Sequence, residues 1–269
     1  MKSLIVGGCS YSAGYGLNYD DPESDCKESP DLWVNLCHRN IKKLNRLSLE
    51  NIGQSGASNS EIFENLVEAI SKNKNELEMV ICGWTSMPRY NVNVGFELYD
   101  TTASLSLNNR THKTNQINIS RKYIKNLVDR LKVLHHCQWE IVKVLRYINI
   151  LEAMAKKYKF QILHLNLLCP WDVGFFDVMQ GDFLPMMLTE FTRKEILHIE
   201  SRDDEEIFSL YKKQHQMYLE VGGVQKEKWI NLYNSFNSLQ VDTSYDGIHP
   251  GKESNKIFYS TVKDFIETH

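Results

Sequence analysis

The sequence predicts an α/β fold: a three-layer α/β/α sandwich around a parallel sheet of about five strands. Three observations predict it. A short apolar run, Leu4-Ile5-Val6, is cut off by Gly7-Gly8 and followed by small polar residues. The order of apolar run, glycine turn and helix-forming stretch then repeats, through Leu47–Ile52 with Gly53 and Gly56, and through Met79–Gly83. A long helical pattern, Trp139–Tyr158, leads straight into another strand pattern, Phe160–Asn166. Strands alternating with helices imply parallel pairing, because a parallel neighbour is reached only through a long crossover.

In chain order, the first strand spans about Ser3 to Gly8, and a polar loop follows from Asn18 to Ser29. Ser29-Pro30 is predicted to start a helix, with serine as N-cap and proline in the first turn. Trp33, Leu36, Cys37, Ile41 and Leu44 give that helix one apolar face, and Arg39, Lys42, Lys43 and Arg46 a solvated one. Ser58 and Glu61 have the spacing of a capping box, so a helix is expected there with Ile62, Leu66 and Ile70 buried. Pro88 to about Ile119 breaks the pattern and is read as an insertion at the sheet edge, with Phe96–Tyr99 as a small hairpin. From Arg110 to Arg146, nine Lys/Arg stand against two Asp/Glu, which reads as a solvated helix surface ahead of an anion-attracting rim. Trp139–Tyr158 carries Val142, Leu145, Ile148, Leu151, Met154 and Tyr158 on one face. Pro170–Leu188 is dense in aromatics and methionines and suits a pocket wall or a subdomain core equally. Asp203–Tyr218 is expected to be helical, its opening acids matching the positive end of a helix dipole. The fifth strand is placed near Ser238–Val241, and a closing helix after Pro250-Gly251 turns Ile257, Phe258, Val262 and Phe265 inward. The 269 residues are read as one domain, 1–269, with insertions at roughly 86–118 and 170–200 over the C-terminal ends of the strands.

Composition narrows the function. An apolar fraction of 42% with 11% aromatics supports a substantial core. The net charge of −3 points to neither a nucleic-acid nor a membrane-surface specialist, and no run is long enough to span a bilayer. The first residues are too short for a signal peptide, and the six cysteines form no CxxC pair; both fit reduced thiols and a cytoplasmic protein. His135-His136-Cys137 lacks partners at ligand spacing, so no metal and no cofactor are expected.

The chemistry lies at the two ends of the chain. A strand ending in Gly8-Cys9-Ser10 and turning sharply holds a serine hydroxyl at the edge of a sheet. Serine is a poor nucleophile without a base in reach, and the base needs orientation. Asp246-x-x-His249, just before the last helix, offers an acid and a base within one turn. Cys9 is no rival nucleophile, because neighbouring strand residues point to opposite faces.

Four blocks together resemble the SGNH (GDSL-like) hydrolase family. Gly8-Cys9-Ser10-Tyr11-Ser12-Ala13-Gly14 is similar to the family's Gly-Asp-Ser-Leu-Ser-x-Gly. Asn51-x-Gly53-x-x-Gly56 resembles the second block, Gly83-Trp84-Thr85 the third and Asp246-x-x-His249 the fifth. The resemblance implies a flavodoxin-like α/β fold and hydrolysis of an ester, a small acyl ester or an acylated glycan, through an acyl-enzyme. It implies Ser10 as nucleophile, His249 as base and Asp246 as its orienting acid. The oxyanion hole would be the backbone N–H groups of Ser10 and Gly56, plus a side chain where Thr85 stands. Asn59, Trp84 and Arg89 are candidates for contacts with substrate.

Two positions depart from the family pattern. Cys9 replaces an aspartate that does not react. Thr85 replaces an asparagine that donates to the oxyanion, so Thr85, Ser86, Asn59 or Arg89 substitutes, or the enzyme is slow, or catalysis has been lost. The alternative reading is therefore a catalytically inactive binding module of the same fold. A dinucleotide-binding domain fails on glycine spacing.

Overall fold

The computed structural model describes residues 2–85, 89–93, 102–106, 137–168, 225–230 and 235–268. In chain order the elements are β1 (Ser3–Gly7), α1 (Ser10–Ala13), α2 (Trp33–Asn40), β2 (Ser48–Asn51), α3 (Asn59–Asn73) and β3 (Leu77–Trp84). They continue with β4 (Arg89–Asn93), β5 (Thr102–Ser106), α4 (Cys137–Tyr158), β6 (Gln161–Asn166), β7 (Trp229–Ile230) and α5 (Lys252–Thr268). The main sheet has five strands, all parallel, in the order β2-β1-β3-β6-β7. β4 and β5 pair antiparallel in a separate two-stranded ribbon.

Why β1 and the middle of β3 read as apolar runs is plain from their two faces. Leu4, Val6, Met79, Ile81, Leu165 and Ile230 pack with Trp33, Cys37, Phe258 and Val262 of α2 and α5. Ile5, Val80, Cys82, Trp84 and Ile162 pack with Ile62, Leu66, Val144, Ile148 and Leu151 of α3 and α4. Successive residues alternate between the faces, and where both faces are covered the strand interior is an apolar run, as in Leu4–Val6 and Met79–Cys82, whereas half-exposed β2 keeps Ser48, Glu50 and Asn51. The result is the three-layer α/β/α arrangement.

Local chemistry sets the helix ends. Ser58 and Glu61 form the capping box at the start of α3. The second helix starts later than Ser29-Pro30: its N-cap is Leu32, and Ser29–Leu32 forms a turn instead. The first helical donor, Trp33 N–H, is taken by Asn255 Oδ1 at 3.0 Å, so a side chain of α5 replaces the local serine cap. Ile41 is the C-cap residue and Leu44 lies in the turn beyond, both still fully buried.

The fifth strand corrects the sequence reading. It is Trp229–Ile230, paired with His164 and Leu165, whereas Asn237–Leu239 is a single 3-10 turn. That turn is fixed by Phe236 N–H and Asn237 N–H bonding to the carbonyls of Asn166 and Leu167, which continue β6 past its last rung. The expected hairpin at Phe96–Tyr99, the stretch Pro170–Leu188, the helix Asp203–Tyr218 and most of both insertions lie outside the described residues.

Candidate active site

The sheet order decides where a ligand can sit. From β1 the chain goes to β2 on one side and returns to β3 on the other, which makes β1/β3 the topological switch point. Beyond the C-terminal ends of two such strands lies the crevice that open α/β sheets use for ligands. Gly7 is opposite Cys82, so Ser10 and Thr85 each stand three residues past that shared rung.

Ser10 is the first residue of the four-residue α1, with Cys9 as N-cap and Gly14 ending it at φ +73°. A Cβ on Gly8 would lie 2.4 Å from Ser12 Oγ, so glycine there lets the turn fold back on itself. The loop after β2 is stitched to this turn: Asn51 Nδ2 donates to Ser12 O at 2.8 Å, and Gln54 N–H to Gly8 O at 3.0 Å. Gly56 belongs to that loop and has φ +77°. Tyr11 holds the turn from the other side, its hydroxyl meeting Asn237 Oδ1 at 2.6 Å.

Residues 239 apart in sequence meet here: His249 Nε2 lies 3.0 Å from Ser10 Oγ. His249 Nδ1 lies 2.5 Å from Asp246 Oδ2. Asp246 folds its own loop, because Oδ1 accepts the N–H groups of Ile248 and His249, both at 3.0 Å, and the Ser244 hydroxyl at 2.6 Å. Burial alone would raise the Asp246 pKa, yet the Ser244 hydroxyl, the His249 ring and the two backbone donors outweigh it and hold it at about 2. An ionised carboxylate only accepts. In the neutral His249 ring this places the proton on Nδ1 and turns the Nε2 lone pair to Ser10.

Gly16, at φ +81°, makes room for this arrangement, since a Cβ there would lie 2.9 Å from the Asp246 carboxyl. The Tyr15 ring packs 4.8 Å from the imidazole. The group is nearly enclosed: Ser10 is 3% exposed, and the side chains of His249 and Asp246 are 12% and 10% exposed.

The remaining candidates divide. Thr85 is buried, and its Oγ1 makes no hydrogen bond among the described residues. Asn59 is also buried and spends its amide on Thr85, taking Thr85 N–H at 2.9 Å and donating to Thr85 O at 3.2 Å. Trp84 faces the core rather than a ligand: it is fully buried, and its indole N–H goes to His164 Nδ1 at 3.2 Å. Burial lowers the His164 pKa, with Glu152 pulling partly the other way. The backbone of Arg89 is in β4; its side chain is outside the described part. Cys9 is fully buried in the α2/α5 layer, with Sγ 4.0 Å from Ser10 Oγ. Among the described residues no cluster of His, Cys, Asp or Glu fits a metal, and no helix is long and apolar enough to cross a membrane.

Sequence reasoning missed Ser244, though a hydroxyl two residues before a turn-forming aspartate is a readable signal. It missed Asn237 as the partner of Tyr11, which carries no local signal at all.

No family model matches the chain, and no curated protein matches it. Solved structures similar to it include a carbohydrate acetylesterase from Sinorhizobium meliloti, 10% identical over 100% of this chain and 99% of that one, with a TM-score of 0.48. A lipase/acylhydrolase from Enterococcus faecalis is 12% identical over 100% and 96%, with a TM-score of 0.46. A lipolytic G-D-S-L family member from Veillonella parvula is 13% identical over 98% and 97%, with a TM-score of 0.43. At such identities and scores the likeness says nothing about chemistry, which rests on the geometry of the site.

Proposed function

We propose that the protein is a serine ester hydrolase acting through an acyl-enzyme on Ser10. The observation that carries this reading is the unbroken chain from Ser10 Oγ through the His249 ring to an ionised Asp246. Ser10 attacks the ester carbonyl while His249 Nε2 takes its proton, and Asp246 stabilises the imidazolium that forms. His249 then protonates the departing alcohol, and water, activated by the same ring, releases the acid.

Developing negative charge on the carbonyl oxygen needs donors. Ser10 N–H, at the first position of α1, has no helical carbonyl to meet. Gly56 N–H and the Thr85 hydroxyl complete the proposed set. The substrate is a small acyl ester or an acylated glycan, and no cofactor takes part.

Hydrolysis of nitrophenyl esters of rising acyl length tests the reading. Turnover that Ser10→Ala abolishes, with the folded signal intact, supports it. A folded protein that hydrolyses none of them overturns it. One observation favours a second reading, a non-catalytic binding module: Thr85 Oγ1 is closed off from solvent. Binding of an acylated glycan without turnover would support that one.

A further inference from the structure

We propose that the two loops bordering His249 seat the alcohol half of the ester, and that this half carries a ring with an apolar face. The inference rests on the hydrolase reading of Ser10, Asp246 and His249. Among the described residues five large apolar side chains are exposed, and four of them lie on these loops: Tyr19 at 75%, Val241 at 66%, Ile248 at 58% and Tyr245 at 50%. Single exposed apolar residues need no explanation, but four on the loops that carry and border His249 point to a binding surface.

The cluster is joined to the catalytic loop by the chain itself. Tyr245 and Ile248 are the neighbours of Asp246 and His249. Tyr19 meets Tyr245 edge to face, ring centres 5.2 Å apart at 81°. Tyr245 N–H bonds to Gly16 O at 3.2 Å, tying the loop of Tyr19 to that of Tyr245. Gln240 Nε2 holds Ile248 O at 3.0 Å, fixing Val241's neighbour to the same loop.

Reaction geometry assigns this surface to one half of the substrate. When the acyl-enzyme forms, the Ser10 Oγ–carbonyl bond is made, the bond to the alcohol oxygen breaks, and that oxygen takes the proton from His249 Nε2. The alcohol therefore leaves on the side of His249, away from the Gly56 and Thr85 loops. The tyrosine rings and the aliphatic Ile248 and Val241 present faces suited to dispersion contact with the C–H face of a ring. A hydrocarbon ring and a sugar both offer one.

Acetates of three primary alcohols, with similar leaving groups, separate binding from chemistry: ethanol, cyclohexylmethanol and methyl glucoside esterified at O6. At least one ring ester is expected to exceed ethyl acetate in kcat/KM by about tenfold, the scale of an apolar pocket contact. In Tyr19→Ala/Ile248→Ala that ratio should fall towards one through KM, while the dependence on acyl length in ethyl esters keeps its shape. A preference for the cyclohexylmethyl ester alone names a hydrocarbon ring, and a preference for the glucoside names a sugar. Equal kcat/KM for all three, or a ratio that survives the double substitution, overturns the proposal while leaving the hydrolase reading standing. Absence of turnover with every ester overturns both.

Discussion

Ser244 Oγ donates to Asp246 Oδ1 at 2.6 Å, on the carboxylate oxygen opposite the one that meets His249 Nδ1. One oxygen is thus anchored by Ser244 and two backbone N–H groups, and the other is left to aim the imidazole.

Ser244→Ala should lower kcat/KM by about tenfold, the worth of one hydrogen bond to a charged group, while Ser244→Thr keeps most of the activity. The substitution also raises the Asp246 pKa. In the folded protein that pKa is depressed to about 2, so the stability it contributes is complete above about pH 4 and is lost as pH falls towards 2. Ser244→Ala should have less of this stability to lose, and its acid loss should level off at a higher pH than in the parent protein. Acid unfolding followed by circular dichroism, beside a pH–rate profile, reads both effects.

Thr85→Val should lower kcat about a hundredfold if the hydroxyl meets the oxyanion. The same change removes a buried hydroxyl that has no hydrogen bond among the described residues, so it should stabilise the fold by about 1 kcal/mol. Lower activity with a higher Tm is the signature of a group kept for catalysis. An unchanged kcat makes the hydroxyl idle.

Asn59→Ala should cost about 1–3 kcal/mol, because it strands the buried N–H and C=O of Thr85. Its kcat should fall as well, with KM less affected, since Thr85 loses its position at the end of β3. Thermal unfolding and steady-state kinetics on the same sample check the pair of effects.

His164 sets a separate pH dependence. Burial lowers its pKa below 6.5, so between those two values the unfolded chain binds a proton that the folded chain refuses. Stability should fall as pH drops through 6.5 and level off once the folded ring protonates. His164→Gln keeps an acceptor for Trp84 and should flatten that slope in urea unfolding series at pH 7.5 and 5.5.

How much was legible in the sequence follows from range. β1 and β3 were readable because both faces are covered, which makes each an apolar run, and β6 because its apolar Ile162, Leu163 and Leu165 follow directly on a long helical pattern. Ser10 and the Asp246–His249 turn were readable because their geometry is local: a tight turn after β1, and a carboxylate capping its own next residues. β7 is two residues long and has no period to read. Trp84 looked ligand-facing beside Gly83, yet it continues the every-second-residue series Val80, Cys82, which puts it on the α3/α4 face. The α2 cap depends on Asn255, 222 residues away, and Thr85 depends on Asn59, 26 away; neither dependence has a local pattern.

The central claim is that His249 activates Ser10. Mass spectrometry after treatment with a fluorophosphonate tests it most directly, because the probe bonds covalently to an activated serine hydroxyl with loss of fluoride. The account predicts one adduct per chain on the peptide bearing Ser10, absent in Ser10→Ala and formed far more slowly in His249→Ala. A folded wild-type protein that stays unlabelled at Ser10, or labels equally fast without His249, would contradict it.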